Sequence, residues 1–368
     1  MTHVPKTNGA SPTVSLLIPV YNVERYLAHC LDSVCAQSFG DFEALCINDG
    51  STDGSRAVVE DYVARDARFR LVDKPNSGYG ATMNRGLSEA QGMYVAILES
   101  DDFFEPDALE LLVGAASHNN TEVAKANFWL YWSKPRERRE LFEVVPPALA
   151  GRVVDPWEDT LMFYEKPSIW SGLYRRDFIA QNGIAFTETP GASFQDAGFH
   201  FKVWASARRV ACIAEPVLSY RQDNLSSSVN SPGKAFCVCD EYEAIDAFLE
   251  GRPEAKAALA PIKAKMRYDS YRWNYERLAP ELRPSFVERF SQDLAKEAAD
   301  GSLDWGLLEP WKRDDLRLIL DDPLAFHEQH KTGARRENVV RKTLHYLRRH
   351  GVGGLAHAAR RRLRHMRG

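Results

Sequence analysis

The sequence contains no apolar run near the ~18 residues that a helix needs to cross a bilayer. Its opening MTHVPKTNGASPT has no apolar core of the kind a secretory leader carries. The six cysteines form no C-x-x-C pair and have no histidines at zinc-finger spacing from them. A disulfide framework or structural zinc is therefore not expected; free thiols in a reducing, cytoplasmic compartment are. No internal repeat is visible, which excludes solenoids and propellers. No G-x-G-x-x-G follows the first apolar run, which speaks against a dinucleotide-binding dehydrogenase. Pro19-Val20-Tyr21-Asn22 occupies that position instead, where a nucleotidyltransferase would need a Gly-rich loop with Arg and Lys.

What is present is ordinary globular material: 368 residues, 44% hydrophobic and 27% charged, enough for one large core and an appendage. The net charge of −4 hides an asymmetry. Residues 331–368 carry twelve Lys/Arg against Glu337 alone, a tail near +11, which leaves about −15 on the rest.

Val14 to Pro19 reads as a buried strand and Val23 to Gln37 as an amphipathic helix. Phe42 to Ile47 is a second strand, closed by the polar turn Asn48 to Gly54 before a helix over Ser55 to Arg65. Phe69 to Val72 is a third strand. The turn Asn76-Ser77-Gly78-Tyr79-Gly80 leads to a helix over Ala81 to Ala90, and Tyr94 to Leu98 is a fourth, wholly apolar strand. Apolar strands alternating with helices predict an α/β fold with a mostly parallel sheet, helices on both faces, and ligands beyond the carboxyl ends of the strands. Tyr21, Asp49, Lys74 to Asn76, and Glu99 to Asp102 should therefore share one rim. Residues 235–325 read as helical.

Glu99-Ser100-Asp101-Asp102 directly follows the fourth strand. Carboxylates so close repel one another unless a cation sits among them, and hard oxygen ligands suit Mg²⁺ or Mn²⁺ better than zinc. Such an ion, held by one or two carboxylates and by substrate phosphates, is a common way to bind a nucleotide diphosphate. The tetrapeptide also reads as helix-initiating chemistry, with Asp102 ahead of a helix over Pro106 to Ala116.

Taken together, Val14 to Asn22, Asn48 to Asp53, Asn76 to Gly78, Asn84-Arg85-Gly86 and Glu99 to Asp102 resemble, in order and spacing, the family 2 glycosyltransferases of GT-A fold. The match is strong over residues 13–115 and thinner to 230. The resemblance implies a nucleotide-diphosphate sugar donor and inverting transfer to a glycan or lipid-linked acceptor. Pro19, Tyr21 and Asp49 would surround the base and ribose. A carboxylate at Asp49 suits uracil N3–H, which favours UDP. Asn84 and Arg85 would lie near the donor, Asp101 would hold ribose and metal, and Asp102 would be the direct ligand of Mn²⁺ or Mg²⁺. Glu99 departs from the family's usual Asp.

The acceptor hydroxyl must lose its proton as it attacks, so a general base is required. The family carries it in a Glu-Asp pair opening a later helix; here the pair is Gln195-Asp196, with Asp196 as base and a helix over Phe199 to Ala207. Trp170 and Gln195 are assigned to the acceptor side. Arg221, in the segment Tyr220 to Ser228, is assigned to the donor diphosphate. Each has a plainer reading: Asp49 as a turn residue, Asn84 and Arg85 as surface polarity, Asp196 as a helix-terminal carboxylate, Trp170 as core, residues 220–228 as a solvated turn. A catalytically degenerate scaffold in glycan assembly is the rival function, supported by Glu99 and Gln195 alone.

The expected organisation is a flexible segment 1–12, a catalytic domain 13–230, a helical region 231–330 and the basic tail 331–368. The tail interleaves Arg and Lys with Val339, Leu344, Tyr346, Leu347 and Leu363, a pattern suited to the anionic inner face of the cell membrane, with nucleic acid the lesser expectation and a solvated, partly disordered basic tail the plain reading. The Q-x-x-R-W motif of processive synthases is missing, which favours single transfer.

Overall fold

The structure is a computed structural model describing residues 11–189, 191, 193–224 and 234–331. The basic tail beyond Lys331 and the first ten residues lie outside the described residues.

The chain runs β1 (Val14–Val20), α1 (Glu24–Cys35), β2 (Phe42–Asp49), α2 (Ser55–Arg65), β3 (Phe69–Lys74), α3 (Tyr79–Glu89) and β4 (Tyr94–Ile97). It continues with β5 (Phe103–Phe104), α4 (Ala108–Asn119), β6 (Val123–Trp132), β7 (Arg138–Phe142), β8 (Val153–Val154), β9 (Gly172–Arg175), α5 (Arg176–Gln181), α6 (Gln195–Ser206) and β10 (Val210–Arg221). Helices α7 (Cys237–Glu250), α8 (Pro253–Arg277), α9 (Arg283–Ala299), α10 (Pro310–Asp321) and α11 (Pro323–His330) follow.

The strands form one sheet in the order β3-β2-β1-β4-β9-β6-β10-β5, with β7 on β6 and β8 on β10. The expected α/β architecture is present. From β3 to β4 every pairing is parallel. Beyond β4 the sheet is mixed: β9 runs antiparallel to both β4 and β6, and β10 is parallel to β6. All seven residues of β1 are buried, because a strand covered on both faces has no wet side and so no alternation. Helix α1 buries Leu27, Cys30, Leu31 and Val34, one helical stripe.

Two expectations are corrected. The helix placed over Pro106 to Ala116 begins at Ala108, because Phe103 and Phe104 are taken by an antiparallel pairing with Ser219 and Leu218. The helix placed over Phe199 to Ala207 begins four residues earlier, at Gln195.

The chain divides into two compact units at Met266/Arg267, so the sheet-bearing unit runs well past residue 230. Helix α7 is bound into it. Glu241 accepts a hydrogen bond from Thr187 (3.0 Å), and a Cβ on Gly198 of α6 would stand 2.2 Å from the Glu241 carboxylate. The second unit has its own aromatic core, where Tyr271 packs on Phe286 and Phe290 beside a buried Arg267–Glu297 ion pair.

Candidate active site

The rim begins with Asp49 at the end of β2. It is 4% exposed and accepts from Ser77 N–H (2.9 Å), Gly78 N–H (3.0 Å) and the Lys74 ammonium. Its carboxylate therefore shapes the turn into α3. Gly78 sits at φ 91° there, and a Cβ on Gly80 would stand 2.0 Å from the Thr187 carbonyl oxygen. Glycine is required because Thr187, Thr189 and Gly191 pass directly against this turn, with Tyr79 N–H bonding to Gly191 O (2.9 Å). Tyr21 is 52% exposed, its ring open to solvent, whereas Pro19 is buried within β1.

The acidic turn follows β4. Asp102 N–H bonds back to Glu99 O (3.0 Å), and β5 then pairs with β10. That pairing delivers the Arg221 backbone N–H to Asp102 Oδ1 (2.8 Å). Asp102 is 1% exposed and its Oδ2 has no hydrogen-bond partner among the described residues. It lies six residues ahead of α4, so the helix-capping reading fails. Burial, with Asp101 and then Glu99 adding to it, pushes the Asp102 carboxyl well above the usual range. A bare buried carboxylate oxygen is costly and is relieved by a cation.

Asp101 Oδ2 accepts from Asn224 Nδ2 (2.8 Å). Glu99 accepts from the Tyr79 hydroxyl (2.6 Å), and burial raises its pKa to about 8, which leaves it mostly protonated at neutral pH. Among the described residues no three His, Cys, Asp or Glu side chains form a metal-holding group. The residues present fit a divalent ion held through Asp102, with Asp101 beside it, whose remaining ligands come from substrate phosphates and water.

Arg221 serves this turn from below. Its Nε donates to Asp101 O (2.9 Å), and its guanidinium lies over Tyr26 and Tyr131, beside His29 and Asp223. At 7% exposure it positions the acidic turn rather than presenting a free cation to a diphosphate.

On the other side, α6 opens with Phe194 at φ 62°, a left-handed conformation that costs a bulky residue about 1–3 kcal/mol. The next turn carries Asp196, whose Oδ1 accepts from Ala197 N–H (2.9 Å). Burial raises its pKa to about 6, offset by that N–H and by the Lys166 ammonium. Most of α6 is buried, with Phe199 stacked on Phe186 at 4.4 Å, so Asp196 opens a core helix and not a solvated one.

Other assigned residues are placed differently from expectation. Gln195 is 2% exposed and turns back on its own loop, donating to Thr189 Oγ1 (2.8 Å) and accepting from Ser193 N–H. Asn84 ties α3 to the 186–188 backbone through Phe186 O and N–H (both 2.9 Å) and Glu188. Arg85 pairs with Glu89 on the outer face. Trp170 is 6% exposed and stacks on Tyr220 at 5.0 Å, so its ring is a wall rather than an open platform for a sugar.

Three residues escaped the sequence reading. Tyr79 bonds Glu99. Burial lowers the Lys166 pKa, and the charges of Asp196 and Asp102 oppose that shift. Lys125 on β6, fully buried, donates to Ser168 and Ser171 (2.8 Å to each hydroxyl) and so pins the segment that carries Lys166 and Trp170. A lysine inside an otherwise apolar strand was the available signal for Lys125; no periodicity marks the other two.

The sequence profile described as Glycosyl transferase family 2 matches residues 15–199. The uncharacterized glycosyltransferase EpsJ of Bacillus subtilis (strain 168) is 30% identical over 254 residues, 67% of this chain and 69% of EpsJ. The putative glycosyltransferase EpsH of the same strain is 30% identical over 217 residues, 57% of this chain and 61% of EpsH. The crystal structure of S. aureus TarS 1–349 in complex with UDP-GlcNAc matches with a TM-score of 0.66 at 22% identity, covering 87% of this chain and 92% of that one. That likeness is one of fold and extends past the sheet. With the profile spanning half the chain and the EpsJ match two thirds of it, the chain belongs to glycosyl transferase family 2 and is a glycosyltransferase.

Proposed function

We propose that the chain transfers a sugar from a nucleotide-diphosphate donor, a UDP-sugar by preference, to an acceptor hydroxyl with inversion at the anomeric carbon. The observation that carries this reading is that Asp102, buried with its Oδ2 unpartnered among the described residues, follows β4 at the carboxyl end of the parallel strands. Asp196, poised near pH 6 by burial, is ionised at neutral pH and takes the acceptor proton. Asp102 Oδ2, with Asp101 beside it, would hold Mn²⁺ or Mg²⁺. Such an ion supplies neutralising charge to the leaving diphosphate. Tyr21 offers its exposed ring to the base. The fourth acceptor position of Asp49, which already accepts three hydrogen bonds, faces a base N–H.

We extend the reading to a glycan or lipid-linked acceptor in cell-surface polysaccharide or glycolipid synthesis, on the strength of the basic, apolar-interleaved sequence of 331–368. No helix of the described residues is long and apolar enough to cross a membrane. The test is transfer and hydrolysis across a panel of UDP, GDP, CDP and dTDP sugars with Mn²⁺, repeated in EDTA and with Asp196→Asn. Full activity in EDTA removes the metal, and turnover only with a non-uridine donor removes the base assignment at Asp49.

A further inference from the structure

The Lys166 ammonium lies 4.2 Å from the ring centroid of Tyr220, 5.7 Å from Trp170, 5.9 Å from Phe142 and 6.0 Å from Phe128. Among the described residues it has no hydrogen-bond or ion-pair partner. The buried lysines Lys125 and Lys202 of this unit differ: Lys125 donates to two serines and Lys202 to the Ala185 carbonyl (2.9 Å). Aromatic faces balance a cation's charge, but an ammonium has three N–H donors that seek oxygen acceptors. Lys166 is only partly buried, so water supplies those acceptors until a ligand's oxygens replace it.

We propose that Lys166 is a further catalytic residue, whose ammonium donates hydrogen bonds to the β-phosphate oxygens of the bound donor and takes up their charge as the sugar departs. This rests on the donor chemistry proposed above. In the transfer, the bond from the anomeric carbon to the β-phosphate oxygen breaks and its electron pair stays on the phosphate. The bond from that carbon to the acceptor oxygen forms, and the acceptor proton passes to Asp196. A cation beside the electron-poor anomeric carbon raises the barrier, whereas one beside the leaving oxygen lowers it. The aromatic wall replaces water on one side of the ammonium, which strengthens its field. Trp170 and Lys125 acquire a purpose in this arrangement: the first forms the wall, the second holds the segment in place.

Lys166 has a second effect through Asp196. That carboxylate is faced by Lys166 from the segment before β9, by Glu99 and Tyr79 from the acidic turn and α3, by Tyr220 from β10 and by Glu241 from α7. Lys166 alone among these carries positive charge, so its removal moves the acid limb of the rate profile above its starting point near pH 6.

Calorimetric titration with UDP, GDP, CDP and dTDP in Mn²⁺ first identifies the nucleotide, and its monophosphate serves as control. Lys166→Met is expected to weaken diphosphate binding about tenfold or more and to lower kcat about 100-fold. Monophosphate affinity should stay within about twofold, since that nucleotide lacks the β-phosphate. Lys166→Arg restores part of both losses, and Lys166→Gln replaces the Met variant if the latter does not fold. Equal diphosphate affinity with near-normal turnover in the uncharged variant overturns the role. If Asp196→Asn is inactive at the same time, the Lys166 assignment falls alone; if the wild type binds no nucleoside diphosphate, it falls together with the donor reading.

Discussion

The two halves of the sheet solve the same problem, placing charged groups on a rim, by different means. From β3 to β4 the strands are parallel, with β1 and β4 wholly buried, and charged groups reach the cleft directly at strand ends: Asp49 closes β2, and Glu99 to Asp102 follow β4. Beyond β4 the strands are mixed, and the groups that matter arrive through long-range contacts. Asp196 stands on a strained helix start, Lys166 on a segment pinned from β6, and Arg221 at the end of β10 reaches back beneath Asp101. In the first half position follows from strand order; in the second it is built by packing.

The sharpest way to break that contrast is Asp196→Asn, which keeps shape and removes the base. Transfer should fall by about 10²–10⁴-fold in a steady-state assay. A loss under tenfold would return Asp196 to a structural role. In the wild type the rate should climb with pH through about 6 and level off above it, because only the ionised carboxylate accepts a proton.

Next in size, Asp102→Asn should lower turnover about 100-fold and abolish the response to added Mn²⁺. Its effect on stability runs the other way. A carboxylate whose folded pKa lies above its unfolded one destabilises the fold wherever the unfolded chain ionises, so the metal-free variant should melt at or above the wild-type temperature at pH 7. A clear fall in metal-free melting temperature would show that Asp102 is chiefly a structural acceptor.

Gly80→Ala tests whether the first half is as self-sufficient as it looks. The added Cβ meets the Thr187 carbonyl oxygen at 2.0 Å, so a loss of about 1–3 kcal/mol is expected from denaturant unfolding. An unchanged midpoint would mean that segment 187–191 does not depend on the turn before α3.

The smallest effect concerns Lys125, whose pKa burial lowers to about 7 from 10.5. Between those values the unfolded chain holds a proton that the folded chain has released, so the Lys125 contribution makes stability rise with pH across that window. Lys125→Met should flatten this part of a stability-against-pH curve; an unchanged slope would show that the buried ammonium keeps its proton.

Much of the first half was legible beforehand. Continuous apolar runs such as Val14 to Pro19 and Tyr94 to Leu98 fit only covered strands, and the polar residues after them had to fall on one rim. The helix over Ser55 to Arg65 was placed to the residue. The second half was less legible because its determinants are not periodic. Phe103-Phe104 became a strand only because β10 passes beside it. Gln195, Asn84 and Arg85 are polar residues in motif positions, yet their side chains are used by a loop, a neighbouring backbone and a surface ion pair.

The sequence by itself determined the alternation of strand and helix, the parallel half of the sheet and the place of the acidic turn, since these follow from local apolar patterning and strand-to-turn order. Tertiary structure alone decided which charges meet. The segment that opens at Lys166 resembles the one before the base in the family, but nothing local marks the lysine itself, which meets four aromatic rings from separate elements only in the folded chain.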